Sequence, residues 1–236
     1  MRNTPINTWL SWSSGKDSAW ALHVLRGENV HRVTGLFTTV NAAADRVAMH
    51  AVRRELLQAQ AQAAGLPLHV VEIPFPCSNE QYAEAMQRLH GQAVNAEVTV
   101  MAFGDLYLED IRAYREEMLA DTAIDPVFPL WKQDTAALAR RMIDAGVVAH
   151  LTCVDPKVLP ARFAGRLFDH QLLDELPSGV DPCGENGEFH TFVSVGPMLS
   201  APLKVEPGEI VERDGFVFAD LILVPAATDA AAQHPR

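Results

Sequence analysis

The stretch Ser11-Trp12-Ser13-Ser14-Gly15-Lys16-Asp17-Ser18 lies between an apolar run, residues 8–12, and an apolar-periodic segment, residues 19–25. This order predicts a strand, a tight loop and a helix. The loop is made of small residues whose backbone N–H groups can approach a ligand closely. A lysine follows, then an Asp-Ser pair suited to capping the helix. Such a loop reads as a phosphate cradle. A Walker A loop needs glycine five places before Gly15 and Ser or Thr after Lys16, where this chain has Leu10 and Asp17. The dinucleotide fingerprint needs three glycines across the turn, and here Gly15 is the one glycine present.

Further apolar, β-branched runs at residues 31–39, 68–74 and 98–103 read as buried strands. Segments 46–64 and 79–94, rich in Ala, Gln, Leu and Glu without internal proline, read as crossover helices. Alternation of strand and helix from residue 8 to about 120 predicts a parallel sheet covered on both faces. Ligands of such sheets bind beyond the carboxyl ends of the strands. That places Thr38 and Thr39 after the second strand, and Gly104-Asp105 after the fourth, beside the loop.

Two prolines in the apolar stretch 125–131 exclude a regular helix and mark a domain junction. Beyond it the sequence predicts a helix over 134–145 closed by Gly146, a strand over 147–154 and a helical patch near 167–175. A strand over 189–195 and a hairpin over 210–223 about Asp214-Gly215 complete the pattern. The expected organisation is a nucleotide domain at 1–125, a smaller mixed α/β domain at 126–225 and a frayed tail at 226–236.

The chain has 236 residues, 48% of them hydrophobic, enough to bury a sizeable core. Thirty acidic residues against nineteen basic ones give a formal charge of −11, which opposes non-specific attraction to nucleic acid or anionic membrane. The three cysteines, Cys77, Cys153 and Cys183, form neither a Cys-x-x-Cys pair nor a disulfide ladder, which fits a reducing cytoplasm. No run is long and apolar enough for a membrane helix, and the N-terminus lacks the apolar segment of a signal peptide.

A second constellation, Asp181-Pro182-Cys183-Gly184-Glu185-Asn186-Gly187-Glu188-Phe189-His190-Thr191, gathers carboxylates, a thiol, an amide and an imidazole about two glycines. Glycine permits turns closed to other residues, so these polar groups can converge.

The first loop closely resembles the Ser-Gly-Gly-Lys-Asp-Ser loop of the PP-loop ATP pyrophosphatases, with Ser14 where the family has its first glycine. Residues 184–191 closely resemble the hallmark of the diphthine–ammonia ligase family within that group. Met49-His50, Gly104-Asp105 with Arg112 and Arg115, the 126–131 stretch, Val154-Asp155 and Gly165-Arg166 match in order. The resemblance spans residues 8 to about 224. It implies a PP-loop domain, of the adenine nucleotide alpha hydrolase-like class, followed by a small C-terminal domain. It also implies an AMP-forming ligase that adenylates a substrate carboxylate, releases pyrophosphate and transfers ammonia.

On that resemblance Ser13, Ser14, Gly15, Lys16 and Ser18 are expected at the pyrophosphate, with Asp17 as helix cap or indirect magnesium ligand. Asp105 is expected to hold magnesium or the ribose, or to cap its loop, and Thr38 and Thr39 to line the adenine or ribose site. Glu185 and Glu188 are candidates to bind ammonium and take its proton. Asn186, His190, Thr191, Arg112, Arg115 and Arg166 are candidates for substrate contact. Expected partners are ATP and AMP, Mg2+, ammonium, and a carboxylate on a small molecule or a modified protein residue, with a homodimer as one expected assembly. Two alternatives differ in class. An RNA-modifying enzyme of the thiolation or lysidine type would require a basic channel, and a non-catalytic nucleotide sensor would bind AMP without turnover.

Overall fold

The computed structural model describes residues 4–41, 46–47, 52–74 and 76–224. The first sheet contains β1 (Ile6–Ser11), β2 (His31–Asn41), β3 (Arg46–Val47), β4 (Leu68–Ile73), β5 (Val100–Ala102) and β6 (Asp125–Val127). Its helices are α1 (Lys16–Glu28), α2 (Arg54–Ala64), α3 (Asn79–Asn95) and α4 (Glu109–Leu119). The parallel strands run in the order β4-β2-β1-β5-β6, and β3 pairs antiparallel with the end of β2.

Residues alternate across the strands as a pleat requires. Leu10, Leu36 and Ala102 face one way, into a core with Ala19, Leu22 and Leu25 of α1 and Leu56, Leu57 and Ala61 of α2. Trp9, Phe37, Val71 and Met101 face the other way, against Ala85, Met86 and Leu89 of α3 and Leu119 of α4. Both faces are therefore covered, and the expected doubly wound α/β architecture is present. From β1 the chain winds outward through β2 and β4, then crosses to β5 on the other side of β1. This reversal opens a crevice at the carboxyl ends of β1 and β5, between the loops at 12–15 and 103–108.

The second half contributes α5 (Thr135–Asp144), β7 (Val148–Val154), a 3-10 turn (Ala161–Phe163), α6 (His170–Glu175), β8 (Phe189–Val195), β9 (Val205–Arg213) and β10 (Phe216–Leu223). The sheet order is β8-β7-β10-β9, all antiparallel. Asp214 and Gly215, at φ 52° and 82°, turn the β9–β10 hairpin in the left-handed geometry that suits strand twist. One continuous core joins Leu22 and Leu56 to Leu138, Leu151, Phe192 and Val193, so the two sheets share their packing. No helix among the described residues is long and apolar enough to cross a membrane.

Some expectations need correction. The helix expected over 46–64 begins at Arg54; Arg46 and Val47 instead pair with Asn41 and Val40, where ladder bonding outweighs local helix propensity. Met49-His50 and the tail 226–236 lie outside the described residues. Residues 125–127 form β6, paired with β5 at the edge of the first sheet, where Pro126 is tolerated. The patch expected at 167–175 is helical from His170, because the Asp169 carboxylate accepts the Leu172 N–H at 2.7 Å and Leu167 bridges to His150.

The crevice is narrow at Gly104. A Cβ there would lie 3.1 Å from the backbone of Asp17 and Ser18 in the first turn of α1. Gly104→Ala is expected to separate the two loops and lower stability by about 1–3 kcal/mol, read as a reduced denaturation midpoint with an unchanged m-value.

Candidate active site

β1 ends at Ser11 and α1 begins at Lys16, with Gly15 as an N-cap that makes no side-chain capping bond. The intervening loop bonds to itself. The Gly15 N–H donates to Ser13 Oγ at 3.3 Å, the Ser13 and Ser18 hydroxyls lie 3.1 Å apart, and Ser18 Oγ donates to the Gly15 carbonyl at 3.0 Å. Asp17 does not cap the helix. Its carboxylate accepts two hydrogen bonds from Lys16 Nζ at 2.9 and 3.1 Å, because an ammonium 2% exposed must be paired. Ser14 sits at φ 70°, left-handed geometry that costs a non-glycine residue about 1 kcal/mol.

The loop is held from outside by β8. The Val193 N–H and Gln60 Nε2 both donate to the Ser14 carbonyl at 3.0 Å, and the Lys16 N–H donates to Thr191 Oγ1 at 3.1 Å. Lys16 Nζ reaches the Cys183 carbonyl and lies 5.5 and 5.4 Å from the Phe168 and Phe189 ring centres. Gln60 was not singled out from the sequence. Its signal was there, as an amide on the apolar stripe of α2 with Leu56, Leu57, Ala61 and Ala64.

The second constellation folds into a loop around two acceptors, the half-buried Asp181 and the buried Glu188. Asp181 Oδ1 accepts the N–H groups of Cys183 and Glu185 at 2.8 and 3.3 Å, and Oδ2 accepts the Thr135 hydroxyl at 2.6 Å. Glu188 Oε1 accepts the Asp181 N–H at 3.0 Å and Asn186 Nδ2 at 2.9 Å, while Oε2 accepts the Asn186 N–H at 2.9 Å. Gly184, at φ 69° and with space for a Cβ only 2.8 Å from the Phe189 carbonyl, makes the tight turn possible. The turn separates the two glutamates. Glu185 points across the crevice, where Oε1 accepts the Leu106 N–H at 2.7 Å, and Glu188 is engaged by its own loop.

A cavity of about 230 Å³ lies where the loops meet, lined by Ser13, Lys16, Asp17, Ser18, Gly104, Asp105, Arg115, Glu185, His190 and Thr191. It adjoins a cleft of about 420 Å³ lined by Trp12, Phe37, Thr38, Thr39, Tyr82, Met86, Leu108 and Ile111. Ser11, Ser13, Asp105, Arg115, Glu185 and His190 line both. Ser14, Gly15, Asn186 and Glu188 line neither; they shape the loops. Arg112 is also outside, bound to Glu116 at 2.7 Å and stacked over Phe128 and Trp131. Arg166 pairs with Glu175 over the Phe163 ring, away from the cavity.

Burial dominates the electrostatics. It pushes the Glu185 carboxyl up to about 7, against the Leu106 hydrogen bond and with help from the charge of Asp17. Burial pulls the His190 imidazole down to about 4, aided by the Lys16 charge, so the ring is neutral near pH 7. The Asp17 and Asp105 carboxyls are both raised by burial, opposed by Lys16 and by Arg115 respectively; the charge of Asp181 raises Asp17 further, and that of Asp17 raises Asp105. Burial, the largest single influence, lowers Lys16, but Asp17, Cys183 and Glu185 together outweigh it and the net shift is upward. The Cys183 thiol, 3.4 Å from the Thr135 carbonyl, is pushed up by burial and stays protonated, unlike a sulfur-transfer nucleophile.

Asp105 Oδ2 is buried without a hydrogen-bond partner, 3.8 Å from Arg115 Nε. Paired with Asp17 across the cavity, it suits a divalent cation that completes its shell with phosphate oxygens and water. Among the described residues no three His, Cys, Asp or Glu side chains are grouped as a ready metal cage.

Two family models cover most of the chain. The diphthamide synthase N-terminal domain matches residues 7–124 and the diphthamide synthase C-terminal domain residues 134–220. The diphthine–ammonia ligase of Danio rerio is 26% identical over 229 residues, covering 88% of this chain and 89% of that protein. The diphthine–ammonia ligase of Homo sapiens is 23% identical over 228 residues, covering 88% of this chain and 85% of that protein.

The two glutamates should separate by experiment. Glu188→Ala removes the acceptor of three loop bonds and is expected to lower stability by roughly 2–3 kcal/mol in denaturant titration. Glu185 holds its proton more tightly folded than unfolded. Its cost to stability is small below pH 4.5 and grows up to pH 7 as the unfolded chain ionises first. Glu185→Gln should therefore raise the melting temperature more at pH 8 than at pH 5.

Proposed function

The chain belongs to the diphthamide synthase family, and from that premise we propose that it is an ATP-dependent ligase that adenylates a carboxylate and transfers ammonia to it. The carrying observation is that Lys16 and Asp17 from the first loop share one cavity with Asp105 and with Glu185 and His190 from the second constellation. Groups suited to activation and groups suited to the acceptor step thus meet at one point.

A carboxylate resists attack because its charge repels nucleophiles and oxide is a poor leaving group. Adenylation removes both obstacles. A substrate carboxylate oxygen bonds to the α-phosphorus as the bond to the pyrophosphate oxygen breaks, and charge grows on the departing group. Lys16 and the Ser13 and Ser18 hydroxyls stabilise that charge. Asp17 and Asp105 would hold a magnesium ion, which supplies further charge neutralisation there. Arg115, lining both compartments, orients an anionic group of substrate or nucleotide. The cleft lined by Thr38 and Thr39, which lie within the carboxyl-terminal part of β2 and not after it as expected, takes the nucleoside.

In the second step ammonia attacks the acyl carbon and AMP leaves with the bonding electrons of the broken C–O bond. Ammonium has no lone pair to attack with, so a base must take one proton. Glu185, raised to about 7, is ionised often enough near neutrality to accept it and basic enough to want it. Neutral His190 accompanies it as a hydrogen-bonding wall group. The relatives' name specifies diphthine as the carboxylate, and the same acceptor class, on a modified protein residue or a small molecule, fits this site.

Candidate carboxylates are expected to drive exchange of labelled pyrophosphate into ATP and, with ammonium, release of AMP; release of ADP instead would refute the reading. Lys16→Ala should abolish exchange. Glu185→Gln should leave exchange largely intact and slow amide formation by about 10²–10⁴-fold. In the parent enzyme amide formation should fall as pH drops below about 7, where Glu185 takes up a proton, and that limb should vanish in the variant.

A further inference from the structure

Gln60 is wholly buried on α2, and its amide makes three hydrogen bonds, two to the 12–15 loop and one to β8. Oε1 accepts the Trp12 indole N–H at 2.9 Å, while Nε2 donates to the Ser14 carbonyl at 3.0 Å and to the Val193 carbonyl at 2.6 Å. The indole nitrogen only donates, so it must meet the amide oxygen, and that turns both N–H bonds toward the two carbonyls. A flipped amide would face donor with donor and acceptor with acceptor.

The Ser14 carbonyl and the Gly15 N–H belong to one trans peptide unit and point in opposite directions. Drawing the carbonyl toward Gln60 and Val193 therefore aims the Gly15 N–H the other way, where it meets the hydroxyl of Ser13, a residue of the cavity wall. The same pull holds Ser14 in its left-handed conformation.

The geometry assigns Gln60 as a positioning residue for nucleotide binding: it orients the Ser14–Gly15 peptide so that the Gly15 N–H holds the Ser13 hydroxyl at the cavity wall, where ATP phosphates are proposed to bind, and ties that orientation to docking of β8. Gln60 touches no substrate itself. This inference rests on the proposed binding of ATP at the loop. Because its action runs through one peptide plane, loss of the amide should weaken nucleotide binding beyond what loss of stability explains.

The test uses the full chain with Mg2+ and ATP in titration calorimetry, alongside thermal melts. Gln60→Met keeps the length and removes all three hydrogen bonds. It should weaken ATP about tenfold or more. Leu57→Ala, a buried change on the same helix at a side chain that cannot hydrogen-bond to the loop, provides the comparison. It should lower the melting temperature at least as far and leave the ATP dissociation constant within about twofold. If Gln60→Met does not fold, Gln60→Asn, which shortens the same amide by one methylene, replaces it with the same expected direction. Wild-type affinity in the Gln60 variant, or equal weakening in Leu57→Ala, would overturn the assignment while leaving the ATP reading intact. A wild-type chain that binds no ATP would overturn both.

Discussion

The Ser14 carbonyl accepts hydrogen bonds from the Gln60 amide of α2 and from the Val193 N–H of β8, and this shared acceptor holds the site together. The phosphate-loop candidate belongs to the first sheet by chain order, yet its conformation is secured by the second. The Thr191 hydroxyl reinforces the arrangement by accepting the Lys16 N–H. A residue at φ 70° persists because its surroundings hold it. The shared core of the two sheets thus holds the loop in place, since separating them would release its bonds to β8.

The same docking explains how an acidic chain can offer the proposed anion site. The formal charge of −11 describes long-range attraction, whereas the cavity is governed by groups within bonding distance. Asp17 and Asp105 face one another with Lys16 and Arg115 as partial counterweights, and Glu185 approaches from the other loop. With so many carboxylates in one buried place, their protons become tightly held. A cation or a set of phosphate-bound ions would relieve that repulsion. The environment also sets acid and base apart, with Glu185 raised to about 7 and His190 lowered to about 4 by the same burial acting on opposite charge types.

Much of the fold could be read from periodicity. Alternation placed β2, β4 and β8 closely, and cap and turn chemistry placed α5 behind Asp134 and the hairpin at Asp214-Gly215. The misreadings have a common origin. β3 and β6 are short strands that exist because β2 and β5 offer ladder partners, and no local pattern announces a partner. Among site candidates, both loop motifs were visible because glycine, lysine and carboxylates at close spacing are an uncommon local combination. Arg112, Arg115 and Arg166 were indistinguishable as letters. One turn of α4 separates Arg115, which lines the cavity, from Arg112, which stacks on Phe128 and Trp131.

By itself the sequence determined the doubly wound architecture, through local spacing and composition, and the family, through the resemblance of its two loop motifs. Only the tertiary structure decided which glutamate faces the cavity and which organises its own loop. It alone assigned the Lys16 ammonium to Asp17 and the Cys183 carbonyl, and gave Gln60 its place at the joint. Each of these depends on burial and on partners more than a hundred residues away for Lys16 and Gln60, and across the crevice for Glu185. Hydrogen-bond satisfaction in a buried place is a property of the neighbourhood, and a chain acquires its neighbourhood only by folding.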